Sequence, residues 1–478
     1  MPEWANVESL CSYVLEVNHV ASWPVAAVTD FDRFLHHTGL PRSDQLRRAV
    51  NRTVEPRDQL RLLCRHIIRE PIRANQANLA REAIALANEI GDLALLVEAK
   101  IRLGVALQGL WSARQHFDEA LAAVRDAGPE YTRQQGECWN WLSYEGFVSD
   151  DYTSCIDYGL KAITCFNEDD YLIGVVHCRT TLSHAYLRLG RTKTAATVLA
   201  DCLELCDKVG SMERKPPVLE SLAGIAFARG EFLEAMRLHE ECRRLHQRWS
   251  RPGQIAYQTE TIATLFVRLG DTVSARRCLE EARALNATRT TWEELILTVR
   301  EAIVCQAEHN LDLAETLLYA ALRSTRSLKA IRVEIIIQGL LGEIALERAR
   351  DANSDVAAEL IQRGLRQFIL QLALCTRINN MMYMIPCIGW LGQALLAQGD
   401  YTTARSVLSW ALDWSARAEM GADRATVLMA FARLEQETGA SQDASRVAGK
   451  TALDAAQGVR MGRLIAECEA QIAADSTR

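Results

Sequence analysis

An apolar residue followed by a small one recurs along this chain about every forty residues, with Glu301 before Ala302 as the exception. The small residues, called marker residues below, are Cys64, Gly104, Ser143, Ser183, Ala223, Ala263, Ala302, Gly342, Gly392 and Ala432. Their spacing is 39 or 40 residues except for one interval of 50, between Gly342 and Gly392. A fixed period of ~20–50 residues is typical of a solenoid of stacked units. The marker residues therefore predict one repeat array rather than several globular domains.

Each marker residue opens a pattern typical of two antiparallel helices. In the stretch from Leu182 to Leu189, apolar residues recur at intervals of three and four, which gives one apolar helix face. Gly190 follows at the position where a left-handed residue ends a helix. A second apolar series then runs from Ala195 to Cys206. The sequence thus predicts a helical hairpin whose small residues allow the two backbones to approach closely.

The same residue types recur at the same offsets in the other units. Seven residues after the marker stands a turn glycine, at Gly190, Gly230, Gly270, Gly399 and Gly439. Twelve residues after it stands a small residue of the second helix, at Cys155, Ala195, Ala235, Ala275, Ala314, Ala404 and Ala444. This agreement predicts that every unit has the same fold.

These motifs resemble the tetratricopeptide repeat (TPR) superfamily, which shares the small residue, the turn glycine and the second-helix alanine. The unit of about 40 residues is similar to the long-repeat type found in maltose-regulator sensor solenoids, kinesin light chains and TPR scaffolds of large complexes. The resemblance implies an all-α, right-handed superhelical solenoid of about ten antiparallel helix hairpins. It also implies a helical scaffold that binds partners.

The period divides the chain into three expected parts. Residues 1–55 break the period and are expected to form an N-terminal helical cap or a small module. Residues 56–450 are the expected solenoid, and residues 451–478 a C-terminal capping helix and tail. Caps of this kind shield the apolar ends of a repeat array.

Composition and motifs argue against several classes of function. The net charge of −7 comes without a basic block, which does not favour direct nucleic-acid binding. Phosphate-binding loops and nucleophile-elbow or zinc-protease motifs are missing from the sequence. The fourteen cysteines are scattered, and the pair Cys202 and Cys206 has no matching second pair. We therefore expect a non-enzymatic protein without metal or cofactor.

The same features bear on location. The N-terminal sequence has no secretion signal, and no apolar run is long enough to span a membrane. Free thiols in this number fit a reducing compartment. We expect an intracellular, cytoplasmic protein, with the nucleus also open.

In stacked hairpins the first helices line a concave groove, and their exposed faces are candidates for partner binding. The pattern assigns to this groove Glu137, Asn140, Tyr144, Phe147, His177, Thr180, His184, Arg188, Glu220, Phe227, Tyr257, Glu260, Thr264 and Arg268. Mixed charges with aromatic side chains suit an extended peptide or a helix of another protein.

The sequence leaves the role of the groove face, of the methionines near 382 and of the whole chain open. The groove face is either a partner site, a solvated surface or a surface covered by the chain's own N-terminal segment. The methionines at 381, 382 and 384, within the long interval, are either an adaptable contact patch or buried core. The function is either that of an interaction scaffold or adaptor, or that of a ligand- or peptide-sensing module that regulates an effector in trans.

Overall fold

The computed structural model of the protein describes residues 53, 55–69, 73–108, 112–249, 251–286, 289–439 and 442–477. All regular structure in these ranges is helical. The N-terminal module expected at 1–55 lies outside the described residues, apart from positions 53 and 55.

The first four hairpins contain nine α-helices. These are α1 Pro56–Arg69, α2 Arg73–Ile90, α3 Leu93–Ala106, α4 Ser112–Val124, α5 Thr132–Val148, α6 Tyr152–Glu168, α7 Leu172–Arg188, α8 Thr192–Leu199 and α9 Cys202–Lys208. The second helix of the fourth hairpin is divided into α8 and α9, because Asp201 between them is left-handed with φ of 64°. Short 3-10 turns at Pro129–Tyr131 and Met212–Arg214 precede α5 and the fifth hairpin.

The remaining helices continue the alternation. They are α10 Lys215–Arg229, α11 Phe232–Arg248, α12 Pro252–Leu269, α13 Thr272–Leu285, α14 Thr291–Ala307, α15 Leu311–Leu328, α16 Ile331–Arg350, α17 Ser354–Arg377, α18 Met381–Gln398, α19 Tyr401–Arg417, α20 Gly421–Glu437, α21 Gln442–Gly458 and α22 Gly462–Thr477. The expected boundary between 450 and 451 falls inside α21. In the described ranges, ten hairpins are followed by α22, which confirms an all-α, TPR-like solenoid.

Close approach at the marker residues holds each hairpin together. A Cβ atom added to Gly342 would lie 2.6 Å from the ring of Phe368, and one added to Gly392 would lie 2.6 Å from Leu408. Ser143 instead uses its small side chain to donate a hydrogen bond of 2.7 Å to the carbonyl oxygen of Cys155. The small residues twelve positions after the markers, from Cys155 to Ala404, are fully buried. The hydrogen bond between Ser143 and Cys155 shows the predicted pairing of small residues directly.

The turn glycines also take the predicted conformation. Gly190, Gly230, Gly270, Gly399 and Gly439 all have positive φ, between 70° and 89°. Glycine adopts this region without the clash that a Cβ atom would cause. Each such glycine ends the first helix of its hairpin.

The interval of 50 residues is taken up by longer helices. The second helix of this hairpin, α17, has 24 residues, whereas the second helices α15 and α19 on either side have 18 and 17. Its first helix, α16, has 20 residues. Within the methionine cluster, Met384 is in the core, and Met381 and Met382 contact buried Ile385, Ala418 and Met420. The cluster is thus packed against the chain itself, which agrees with the core alternative.

The chain forms two compact units. Unit 1 comprises Met1–Ala185 and Thr197–Val218, and unit 2 comprises Tyr186–Ala196 and Leu219–Arg478. In unit 1, apolar clusters join α1 to α3 and α3 to α5. In unit 2, equivalent clusters join α14 to α16 and α16 to α20. Each cluster spans neighbouring hairpins, as expected for a repeat array.

Substitution of a marker glycine tests the close approach. We expect Gly342→Ala to destabilise unit 2 by about 1–3 kcal/mol, because the new methyl group overlaps Phe368. Gly224→Ala is the matched control, since its Cβ atom would meet only Leu187, at 3.4 Å. An alanine there is expected to be neutral or stabilising by up to about 1 kcal/mol. Urea denaturation followed by circular dichroism measures both; equal midpoints for the two variants would contradict the packing described.

Candidate functional site

A cavity in unit 1 lies along the first helices of the first four hairpins. Its volume is about 730 Å³, and its walls come mainly from α1, α3, α5 and α7, with Arg214 from the 3-10 turn. Three sequence-predicted residues, Glu137, Asn140 and His177, line it. The structure therefore brings this part of the predicted row into one site.

The repeat sets the position of these side chains. Glu98, Glu137 and His177 each lie six residues before a marker residue, on the same face of successive first helices. Arg102 and Trp141 lie two residues before a marker, one turn further along that face. Glu98 and Arg102 were missed in the sequence analysis, although their offsets from Gly104 match those of the residues chosen in the next hairpin.

A cluster of opposite charges occupies the middle of the cavity. The Arg102 guanidinium donates to the Glu98 carboxylate at 3.2 Å, and both side chains are mostly buried. Burial alone would raise the pKa of Glu98, but the charges of Arg102 and Arg65 outweigh it and hold that pKa below its usual range. For Glu137 burial dominates and raises the pKa in spite of Arg102. The cavity therefore distinguishes an ionised carboxylate at Glu98 from a more readily protonated one at Glu137.

His177 is held by a chain of polar contacts. The Asn140 amide Nδ2 lies 3.1 Å from His177 Nδ1, and the Cys178 thiol donates to Asn140 Oδ1 at 3.1 Å. Since the amide NH₂ can only donate, Nδ1 must accept and Nε2 carries the proton. Burial, with a contribution from the Arg214 charge, lowers the pKa of His177 well below its usual value. The rings of His177 and Trp141 are nearly perpendicular, with an interplanar angle of 82° and centroids 5.7 Å apart.

The cavity has more arginine than carboxylate. Arg65, Arg102, Arg133 and Arg214 line it, against Glu98 and Glu137. Arg133 stacks on the Tyr171 ring at 3.7 Å and reaches Asp169 at 4.0 Å. Among the described residues, the guanidinium groups of Arg65 and Arg214 form no ion pair or hydrogen bond. These two side chains are available to an anionic ligand.

The other predicted residues of unit 1 lie outside this cavity. Tyr144 packs its ring against Trp141 at 5.9 Å, and Phe147 packs against His184 at 5.7 Å. Thr180 is buried and donates to the carbonyl oxygen of Val176. Thr180 is therefore occupied by its own helix.

In unit 2, several predicted residues are occupied by neighbouring hairpins. Glu260 is buried and pairs with Arg289 at 2.6 Å and Arg300 at 2.8 Å. The guanidinium of Arg300 also lies 4.8 Å from the Tyr257 ring centre. Thr264 donates to the carbonyl oxygen of Thr261 in its own helix. Glu220 accepts hydrogen bonds within unit 2 and is described further below.

The first-helix ends of unit 2 meet hairpins that come much later in the sequence. Thr192 donates to the carbonyl oxygen of Ala418 at 2.5 Å, and Arg229 donates to Glu419 at 2.8 Å. A Cβ atom on Gly462 would lie 2.7 Å from the carbonyl oxygen of Leu269. These contacts form a closure between the turns after α7, α10 and α12 and the turns before α20 and α22.

The last three predicted residues lie next to this closure. Arg188 donates to the sulfur of Met382 at 3.3 Å. The guanidinium of Arg268 lies 5.9 Å from the Phe227 ring centre. Burial raises the pKa of Asp423 to about 6, and the Arg268 charge opposes that shift. The predicted row of unit 2 is therefore contacted in part by the chain's own C-terminal hairpins. The N-terminal segment, the covering that the sequence left open, lies outside the described residues apart from positions 53 and 55.

Comparison with known proteins supports the fold. Residues 389–410 match the model of the tetratricopeptide repeat family. A crystal structure of a Rap protein complexed with competence and sporulation factor has 12% identity and a TM-score of 0.54, over 76% of this chain and 98% of that one. The apo quorum sensor NprR from B. thuringiensis has 13% identity and a TM-score of 0.50, over 74% and 97%. No curated protein sequence matches the chain.

Within the described ranges, no helix has both the length and the apolar character of a membrane span.

The buried His177 predicts a pH dependence. The pKa of His177 in the folded chain lies below its unfolded value of ~6.5. As the pH falls, the unfolded chain therefore takes up a proton at His177 before the folded chain does. The free energy of unfolding therefore decreases below about pH 6.5, by up to about 1.4 kcal/mol per pH unit. His177→Gln keeps an acceptor for Asn140 and removes this loss. Urea denaturation at about pH 7.5 and about pH 5.5 checks it; equal losses in both proteins would contradict a neutral His177.

The closure in unit 2 predicts a second effect. Gly462→Ala places a methyl group against a backbone oxygen that cannot move cheaply, so we expect the contact to Leu269 to open. Gly458→Ala, four residues earlier, meets nothing within 4 Å and is the control. Hydrogen exchange should become faster at 269–272 and 459–463 in the first variant only. Unchanged exchange in Gly462→Ala would show that the closure does not form.

Proposed function

We propose that this chain, a member of the TPR-like superfamily, is a non-enzymatic interaction protein whose unit 1 cavity binds an extended acidic segment of a partner protein. The TPR-like fold is that of an interaction or sensing scaffold. The observation that carries the finer proposal is the pair Arg65 and Arg214, which line the cavity without an ion pair among the described residues. A partner carboxylate would make charge-assisted, bidentate hydrogen bonds with either guanidinium.

The aromatic walls supply the second part of the recognition. Trp141, Phe166 and Tyr171 line the same cavity as the arginines. Apolar side chains of a bound segment would be buried against these rings, which give large contact area at low entropic cost. The neutral His177, whose Nε2 carries the proton, would donate to a backbone carbonyl or carboxylate oxygen of the segment.

The charge pattern favours a peptide over a polyanion. Glu98 stays ionised next to Arg102, so the cavity presents a negative group between positive ones. A uniformly charged polymer such as nucleic acid would meet repulsion at Glu98. A peptide that places acidic residues apart from each other would not. The Rap protein, which has a similar fold, was solved in a complex with competence and sporulation factor. The alternative function for this chain is therefore that of a ligand- or peptide-sensing module.

Selection from a library of random short peptides displayed on phage tests the proposal. We expect the full-length chain to enrich peptides with acidic and aromatic residues. The double variant Arg65→Gln, Arg214→Gln should raise the Kd of a selected peptide at least tenfold. A tenfold change corresponds to about 1.4 kcal/mol of binding free energy. Arg81→Gln on the exposed face of α2, where Arg81 contacts Asn78, should bind as the unsubstituted chain does.

Two outcomes would go against this function. Peptides that bind the double variant as tightly as the unsubstituted chain would place the binding surface elsewhere. Enrichment of no peptide at all, together with a thermal shift produced by a small anion, would favour the sensing alternative. Because exposed charges are screened by salt, the affinity of a selected acidic peptide should also fall as sodium chloride is raised.

A further inference from the structure

Three metal-ligand side chains lie together inside the fifth hairpin of the chain, at positions that belong to unit 2. Glu220 lies on α10, and Cys242 and His246 lie on α11. The carboxylate, thiol and imidazole ligand atoms are all within 4.8 Å of one another. Cys242 and His246 are four residues apart, so they share one face of the helix. Among the described residues this is the only such group of three.

His246 is the second, independent observation at this place. It is only 4% exposed, and neither ring nitrogen has a hydrogen-bond partner within the described part of the chain. A buried imidazole without partners costs free energy that folding does not recover. An ion is one of the few groups that would satisfy such a side chain.

The carboxylate of Glu220 is already oriented by neighbouring side chains. Gln258 Nε2 donates to Glu220 Oε1 at 2.5 Å, and the Cys242 thiol donates to the same oxygen at 3.7 Å. His239 Nδ1 lies 2.7 Å from Gln258 Oε1 and fixes the amide. Hydrogen bonds of this kind orient the ligands of metal sites from outside the coordination sphere.

We propose that Glu220, Cys242 and His246 bind a divalent cation of the zinc type, with water as the fourth ligand. Thiolate, imidazole and carboxylate together are ligands that zinc takes, whereas magnesium and calcium prefer oxygen alone. One thiolate and one carboxylate neutralise the two positive charges of the ion, so the buried complex carries no net charge. Binding releases the thiol proton to solvent, and affinity therefore rises with pH.

The site requires a small movement of side chains. Bonds of ~2.0–2.3 Å to a tetrahedral ion bring ligand atoms to roughly 3.5 Å from each other. The Cys242 sulfur and Glu220 Oε1 are already 3.7 Å apart. Rotation of the His246 ring would bring one of its nitrogens to a similar distance from the Cys242 sulfur and Glu220 Oε1. The bound ion would then link α10 to α11 within one hairpin.

Metal content of the full-length chain tests this site. After treatment with EDTA and reloading with zinc chloride, elemental analysis should find about one equivalent of zinc. Cobalt chloride in place of zinc should give a thiolate-to-cobalt charge-transfer band. Cys242→Ala and His246→Leu should each bind zinc at least tenfold more weakly, and Gln258→Ala about 10–100-fold more weakly.

Controls make the result decisive. Cys206→Ala removes a buried thiol of unit 1 that lies four residues from Cys202, and it should bind zinc as the unsubstituted chain does. Circular dichroism reports whether each variant folds. If a variant does not fold, the cobalt spectrum of the unsubstituted chain alone shows whether a thiolate binds the ion. Absence of the charge-transfer band, or full zinc binding by Cys242→Ala and His246→Leu together, would overturn the proposal.

Discussion

The structure depends on the close approach of two helices at every marker residue. Gly342 meets the ring of Phe368, Gly392 meets Leu408, and Ser143 donates to the backbone of Cys155. A larger side chain at any of these positions would separate the helices and leave the apolar faces of the hairpin unpaired. Within each unit, neighbouring hairpins stack on one another, so this local contact recurs from one hairpin to the next.

The repeat explains why the fold could be predicted and the site only in part. Marker residues, turn glycines and second-helix alanines act within a single hairpin, so their pattern is visible in the sequence. Glu137, Asn140 and His177 were found because they follow the same period. Arg214 lies in a turn between hairpins, and no periodic signal identifies it. The contact of Thr192 with Ala418 joins residues 226 positions apart, which no local pattern encodes.

Equivalent positions have different surroundings in the two units. Six residues before the marker stand Glu98, Glu137 and His177 in unit 1, where they line a cavity. The same offset in unit 2 gives Tyr257, which lies against Arg300. The nearby Glu260 is buried between two arginines. A single groove prediction applied to all hairpins therefore describes unit 1 better than unit 2, because side-chain identity and later contacts decide which positions stay accessible.

Burial acts on the ionisable groups of the cavity in a way that bears on selectivity. Glu98 keeps its charge because Arg102 and Arg65 outweigh burial, whereas burial dominates at Glu137. Arg102 is paired with Glu98, whereas Arg65 and Arg214 have no ion-pair partner in the part of the chain that the structure describes. A ligand must place its anionic groups at those two positions and avoid Glu98. Selectivity then arises from the order of charges along the ligand, since a like charge facing Glu98 costs more than an exposed pair gains.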